Sequence, residues 1–495
     1  MFLKRVFFRA SKRLEKPGQC VYRNCIASFR QYATFGQPTH ETHPHLIASN
    51  ELTRGISKDE YKARQLRATK ALDKNEFIVT TSAPVNYMCG PAFYEYHQDP
   101  NFFYLTGCLE PSSAAIIEPD SSKANNFRYT LFLRPKDAFA EKWEGTRTGL
   151  AAAENMFGAD EVLNIHDFQK VLQNKAKKYR CAYADVPMTG STTFGDLCRI
   201  RPPTIAEAIV NLSQSCSLKP ISRILHPLRC VKLPGEIHCM KHAGQISGEA
   251  YANVFHGGQI ATETQLAATL DYEFRVGNCE RSAYVPVVAG GLNGLTIHYT
   301  VNNNVLKDGD MVLVDAGGEY GNYVTDISRT WPVNGRFTES QRDIYQAVLN
   351  VQKECIKLCT ENQRLSIAAI HNHSSSLLRE ELRQIGIYAS NFEIENVLYP
   401  HSVGHHIGLE IHDCSSISTY EPIKKNQVIT IEPGVYFPMD DRWPRWAQGV
   451  AIRIEDSILV GKDEPINLSE AAPKEITDIE MQFGKGNHRD RKRKK

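Results

Sequence analysis

The sequence predicts an α/β chain built of two units, and three observations carry that expectation. Between about residues 46 and 230, apolar runs alternate with helical stretches. Pro227, Pro234 and Gly235 then interrupt the chain. From Glu236, over roughly 236–470, a helical pattern leads into apolar strands that each arrive at an acid.

The strands expected in the first unit are Phe77-Ile78-Val79, Ala114-Ala115-Ile116-Ile117 and Tyr129-Thr130-Leu131-Phe132-Leu133. Residues 102–107, aromatic and bounded by turns, read as a further strand. With neither a nucleophile elbow nor a phosphate-cradling glycine loop, this unit supplies little chemistry of its own. In the second unit, Ile237, Met240 and Ile246 give the opening helix an apolar face. Residues 311–315 and 323–327 read as strands flanking a turn at Gly317, Gly318 and Gly321. Residues 428–432 and 450–455 follow as apolar strands ending on Glu432 and Glu455. No repeat of 20–50 residues is evident, so a solenoid is not supported.

The chain has 495 residues, a formal net charge of +2 and 42% hydrophobic residues, enough for two to four domains with real cores. Near-neutral charge lacks the basic signature of a nucleic-acid binder. No run of about 18 apolar residues is present, so no membrane-spanning helix is expected. The thirteen cysteines include no Cys-x-x-Cys pair and read as buried small hydrophobes in a reducing compartment.

The ends differ in character. Residues 1–40 carry Lys4, Arg5, Arg9, Lys12, Arg13, Lys16, Arg23 and Arg30 against the single acid Glu15. That Arg-rich, acid-poor pattern matches a mitochondrial transit peptide, with removal near residues 29–34. At the other end, Arg489-Asp490-Arg491-Lys492-Arg493-Lys494-Lys495 reads as a solvated basic tail without aromatics to stack bases.

Chemistry concentrates in the second unit. Buried carboxylates without partners are very costly, so Asp315, Asp326, Glu432 and Glu455 need cations, and Arg453 alone cannot neutralise four acids. Divalent metal can. Imidazole nitrogen is available in His401-Ser402-Val403-Gly404-His405-His406-Ile407-Gly408, where glycines permit tight backbone. Two Asp, two Glu and one His form an oxygen-dominated set that favours manganese, with cobalt or zinc as competitors. Four carboxylates balance two divalent ions, which about 3.5–4 Å apart can share a hydroxide and polarise a carbonyl, the chemistry of amide hydrolysis.

These residues, together with Gly36-Gln37-Pro38, Thr42-His43-Pro44-His45-Leu46, His97-Gln98-Asp99 and Asp326-Ile327-Ser328-Arg329-Thr330-Trp331-Pro332-Val333-Asn334-Gly335, resemble the aminopeptidase P family of pita-bread metallopeptidases. The likeness runs from about residue 36 to 480. It implies an α/β (α+β) fold: an N-terminal creatinase-like domain over 36–230 and a pita-bread catalytic domain over 231–475. Residues 1–35 would then be the transit peptide and 476–495 the basic tail.

The resemblance further implies that Asp315, Asp326, His405, Glu432 and Glu455 ligate two metal ions, with Asp326 and Glu455 bridging. His298, His401 and His412 would line the substrate pocket as hydrogen-bond donors, and Arg453 would brace the ligands. The implied reaction is attack of a metal-bridging hydroxide on the carbonyl before a penultimate proline, with Glu432 moving the proton. The substrates would be peptide or protein N-termini with proline second. Residues 143–149, beginning at Trp143, resemble a segment of the family tied to the pocket or to oligomer contacts, consistent with a homodimer. His406, directly after His405, departs from the family pattern. A proline dipeptidase, a methionine aminopeptidase, a non-catalytic binding protein of the same fold and an unprocessed cytosolic pool are the competing readings.

Overall fold

The computed structural model describes residues 35–186, 193–198 and 200–485. The basic stretch 1–34 and the tail 486–495 lie outside the described residues.

In the first unit the elements run α1 (Lys58–Thr69), β1 (Glu76–Thr81), α2 (Pro100–Thr106), β2 (Ala114–Pro119), β3 (Phe127–Leu133), β4 (Glu161–Asn164), α3 (Phe168–Lys178), β5 (Cys181–Ala184), α4 (Pro203–Ser213), β6 (Ser217–Pro220) and α5 (Ser222–Cys230). Six strands form one mixed sheet in the order β6-β5-β1-β2-β3-β4. Side chains alternate across it: Ile78, Ala115, Ile117 and Leu131 face one core, while Phe77, Val79, Ile116 and Phe132 face the other. Helices α1, α2 and α5 cover the first face through Tyr61, Phe102, Phe103 and Leu225, and α3 and α4 cover the second through Phe168, Leu172 and Ile209. Burial on both faces is why these strands read as unbroken apolar runs.

Residues 102–107, expected as a strand, are helical instead. Asp99 accepts from the backbone N–H groups of Asn101 and Phe102, Pro100 opens the first turn, and Gly107 ends the helix at φ 64°. Five consecutive residues of this short helix are buried, so its aromatic run records a helix enclosed on all sides.

The second unit starts at α6 (Pro234–Gly257), with Pro234 in its first turn and the Glu236 carboxylate accepting from Leu233 N–H at 2.8 Å. It continues through α7 (Glu263–Val276), β7 (Arg281–Ser282), β8 (Val287–Gly290), β9 (Met311–Asp315), β10 (Gly318–Tyr320), β11 (Tyr323–Val324) and β12 (Ser328–Pro332). Then come α8 (Glu339–Lys357), α9 (Ile367–Gln384), β13 (Val428–Ile431), β14 (Gly434–Tyr436), β15 (Ala451–Arg453), β16 (Asp456–Leu459) and α10 (Ile476–Gln482).

Strands β8-β9-β12 form one antiparallel group and β13-β16 another; β7-β10-β11 form a short three-stranded sheet and β14-β15 a short pair. The expected strand over 323–327 stops at Val324. β11 turns tightly on β10 through Asn322 at φ 66°, and β12, starting at Ser328, pairs back onto β9. The expected strand over 450–455 likewise stops at Arg453, leaving Glu455 between β15 and β16. Residues 476–482, expected within the basic tail, form α10, which buries Ile476 and Ile479 in the main core.

Buried charge joins the two units. Arg64 of α1 reaches Glu60 at 2.9 Å, the Tyr323 hydroxyl at 3.3 Å and Glu236 of α6 at 3.8 Å. Arg229 of α5 donates to Asn101, Glu410 and Asp413 at 2.7, 2.8 and 2.5 Å. No helix among the described residues is long and apolar enough to cross a membrane.

Candidate metal centre

Each acid sits where a strand ends or changes partner. Asp315 closes β9 opposite Ser328 of β12, Asp326 precedes β12, Glu432 follows β13 and Glu455 separates β15 from β16. The two strand groups are stitched together here: Glu455 N–H donates to Ser328 O at 3.0 Å, and Asp326 N–H donates to Ser457 Oγ at 3.1 Å. His405 arrives on a loop laid along β13, its N–H on Thr430 Oγ1 at 3.0 Å and its carbonyl accepting from Thr430 N–H at 2.9 Å. A Cβ on Gly404 would lie 1.9 Å from Thr430 O, so only glycine permits that approach.

The structure brings all five candidate ligands together. Atoms of Asp326, His405 and Glu455 lie within 4.8 Å of one another. His405 Nε2 is 3.5 Å from both Asp326 Oδ2 and Glu432 Oε1. The Tyr284 hydroxyl contacts Asp315 Oδ1 at 2.6 Å and Asp326 Oδ1 at 2.5 Å, joining the fifth acid to the group. His405 Nδ1–H donates to His406 O at 3.1 Å, which orients the ring and turns Nε2 toward the acids.

Electrostatics show what this donor set lacks. Burial, then the charge of Asp326, lifts Asp315 to about 6. Burial lifts Glu432 to about 7, against the pull of His405 and with Asp326 and Asp315 adding to the rise. Glu455 is pushed well above the usual carboxylate range by burial and the neighbouring acids, and its Oε1 is buried with no hydrogen-bond partner. Against its own burial, Asp326 is drawn down by His405, and His405, also against burial, is raised to about 9. Protons here do the neutralising that two divalent cations would do, so the residues present fit such ions.

Arg453 is the brace. Its guanidinium donates to Asp315 Oδ2 at 2.7 Å, Tyr436 Oη at 2.7 Å and Ser328 Oγ at 2.8 Å, and Ser328 Oγ donates onward to Glu455 Oε2 at 2.7 Å.

The three other histidines take different places. His298 and His412 are exposed, and the His412 ring lies 4.3 Å from that of His405. His401 has both nitrogens engaged: Nδ1–H donates to Ser402 O, and Nε2 accepts from the Tyr436 hydroxyl, each at 2.9 Å. It is a held ring rather than a free donor. Burial and the Arg453 charge push it down to about 3, so it is neutral. Tyr284, Tyr436, Ser328 and Thr430 escaped the sequence reading as site residues. No motif marks Tyr284 or Tyr436, and Ser328 is marked only within the Asp326–Gly335 run.

Metal affinity should depend on pH across this whole range. Ligands bind deprotonated, so an apparent affinity measured by chelator competition should climb from pH 6 to about 9 as Asp315, Glu432 and then His405 lose protons. A flat profile over that window would contradict the ligand set.

Known proteins resemble the chain over both units. Residues 238–462 match the metallopeptidase family M24, and residues 61–183 match the aminopeptidase P N-terminal domain. The chain is 49% identical over 452 residues to intermediate cleaving peptidase 55 of Schizosaccharomyces pombe, covering 90% of this chain and 91% of that protein. It is 35% identical over 463 residues to Xaa-Pro aminopeptidase 3 of Homo sapiens, covering 90% of each. The crystal structure of Icp55 from Saccharomyces cerevisiae lacking its N-terminal 58 residues superposes with a TM-score of 0.81 at 40% identity, covering 89% of this chain and all of that one. With its paired strand groups, its acid-lined seam and its separate first domain, the chain belongs to metallopeptidase family M24, in the branch that carries an aminopeptidase P N-terminal domain.

Proposed function

We propose that this chain is a metal-dependent aminopeptidase that hydrolyses the bond between an N-terminal residue and a penultimate proline. The observation that carries the reading is the convergence of Asp315, Asp326, His405, Glu432 and Glu455 with a buried, partnerless carboxylate oxygen at its centre. These five would hold two divalent ions. Manganese suits the oxygen-rich set best, with cobalt or zinc as competitors. When bound, such ions activate water and polarise the scissile carbonyl.

The chain's own groups do the rest. Glu432, a buried carboxylate beside His405 and Asp326, is placed to take a proton from water and pass it to the departing proline nitrogen. Arg453 and Tyr284 keep Asp315 in place. His412, exposed beside His405, and the exposed His298 are the imidazoles left to meet the substrate. A bond to proline is a tertiary amide without N–H, so recognition falls to ring shape and carbonyl contacts.

A second reading concerns substrate size. The 49% identical relative is named an intermediate cleaving peptidase, which favours protein-length N-termini left by an earlier cut. Residues 36–495 with added manganese should release the first residue of an Xaa-Pro-Yaa tripeptide and of a longer chain alike. A chelated sample and Asp326→Ala should be inactive, and Arg453→Lys should lose about 10–100-fold in kcat/KM. Cleavage confined to Xaa-Pro dipeptides would indicate a proline dipeptidase. Failure of the metal-loaded wild type on every substrate would indicate a binding protein.

A homodimer is the favoured assembly. The helix Ala138–Glu144 buries none of its residues, and Phe139 and Trp143, 78% and 75% exposed, share one face of it. Trp143→Ala with Phe139→Ala should shift the sedimenting species toward monomer; an unchanged distribution would place any interface elsewhere.

Mitochondrial residence is supported by the Arg-rich stretch 1–40 and by an Arabidopsis thaliana relative named as mitochondrial, which is 34% identical over 466 residues. Deleting residues 1–35 should leave a tagged chain in the cytosol. Mitochondrial signal surviving that deletion would refute the address.

A further inference from the structure

His298 lies on a loop that one buried carboxylate holds at both ends. The loop leaves β8 at Gly290, passes through the 3-10 turn Gly291–Leu295 and returns at residues 302–306 to the start of α7. At the returning end the backbone is tied directly: Glu263 N–H donates to Asn304 O at 3.0 Å, Leu306 N–H to Ala261 O at 2.9 Å, and the Thr264 hydroxyl to Asn302 O at 2.7 Å. The leaving end is held by the side chain of Glu263, the first residue of α7, which is 0% exposed. Its Oε1 accepts from Gly290 N–H at 2.9 Å and Asn293 Nδ2–H at 2.8 Å. Its Oε2 accepts from Asn304 N–H at 2.8 Å and the Tyr299 hydroxyl at 2.9 Å. Against its own burial, these four donors hold Glu263 below the usual carboxylate range. None of them belongs to α7, so the carboxylate is not capping its own helix; that task falls to Thr262, whose Oγ1 accepts from Gln265 N–H at 3.2 Å.

The loop is seated against the strands that present the acids. Ile297 and Tyr299 pack onto an apolar cluster that includes Leu313, Tyr436 and Ala451, and His298 between them is exposed. Leu313 leads along β9 to Asp315, Ala451 leads along β15 to Arg453, and the Tyr436 hydroxyl accepts from Arg453 at 2.7 Å. Gly294 closes on the same patch, since a Cβ there would lie 2.9 Å from the Ala451 Cβ.

We propose that Glu263 is the positioning residue for His298, a buried clamp that joins the two ends of residues 290–304 and so holds the imidazole where it meets a substrate bound at the acids. Glu263 touches neither the substrate nor the reacting atoms. A glutamine in its place keeps the size, but one pair of donors then meets an amide –NH2 that cannot accept, and one end of the loop loses its anchor. The role of His298 rests on the aminopeptidase reading; the clamp does not, so the two can fail separately.

In the metal-loaded full chain, Glu263→Gln should lower kcat/KM for an Xaa-Pro-Yaa tripeptide by about 10–100-fold, the loss that a misplaced binding group causes, with metal content unchanged. In a His298→Ala background the same change should cost about twofold or less, because nothing is left to position. Tyr299→Phe removes one donor and keeps the ring; it should show the same dependence on His298 at smaller size, and it decides the question if Glu263→Gln does not fold. Equal losses with and without His298 would make Glu263 merely structural and overturn the proposal, as would wild-type turnover in His298→Ala. Hydrogen–deuterium exchange tests the clamp without turnover: peptides within 290–304 should exchange faster in Glu263→Gln while β9 keeps its protection. Unchanged exchange in that loop would overturn the clamp even if turnover fell. Faster exchange in the variant, beside a wild type inactive on every Xaa-Pro peptide, would support the clamp and overturn the aminopeptidase reading together with the role of His298.

Discussion

The constraint on which the rest depends is the confinement of Asp315, Asp326, Glu432 and Glu455 in one largely dry seam. Like charges a few ångströms apart repel strongly when water is excluded, and each carboxylate also pays for its own desolvation. The fold answers with fixed donors. Arg453 reaches Asp315 directly and Glu455 through Ser328, Tyr284 spans the two aspartates, and His405 faces Asp326 and Glu432. These contacts are unequal. Asp326 stays low while Glu432 and Glu455 are forced up, so the site holds acids with different proton affinities, the condition for one of them to carry protons.

That confinement sets the architecture around it. Strands end or change partner at each acid because a continuous ladder would turn alternate side chains away from the seam. Glycines stand where two backbones must nearly touch: a Cβ on Gly317 would lie 1.9 Å from Thr325 O, just as one on Gly404 would collide with Thr430. The first domain is fixed by the same currency of buried charge, through Arg64 to Glu236 and Arg229 to Asp413. Such pairs gain little net stability over apolar packing but leave an uncompensated charge if the domains shift, so they define a position. Arg229 matters most, since Asp413 belongs to the loop that carries His412.

Much of this was legible in the sequence where chemistry and periodicity coincide. An acid at the end of an apolar run is anomalous in composition, and all four such acids meet in the structure. The mixed sheet was legible for a related reason, since burial on both faces leaves long apolar runs. The aromatic segment before Gly107 was misread because aromatic residues favour strands in general, whereas Asp99, Pro100 and Gly107 supply helix caps that outweigh propensity over seven residues. Tyr284 and Tyr436 could not be singled out, because a tyrosine in an apolar stretch gives no sign of where its hydroxyl points.

The division of labour among the histidines follows from one chain of donors. Arg453 has no acceptor, so it must donate to the Tyr436 oxygen, and the tyrosine proton is thereby committed to His401 Nε2. His401 Nδ1–H is spent on Ser402 O, which leaves this imidazole neutral, oriented and without a free donor. His405 is fixed in the same way but with the opposite outcome: Nδ1–H goes to the His406 carbonyl, and Nε2 is left facing the acids. Three imidazoles within one short segment therefore have separate fates set by their partners: His401 is a strut, His405 faces the acids, and His406 turns away to meet a thiol. A residue name and its spacing give the supply of nitrogen. What each nitrogen does is decided by the donors and acceptors that the fold brings to it.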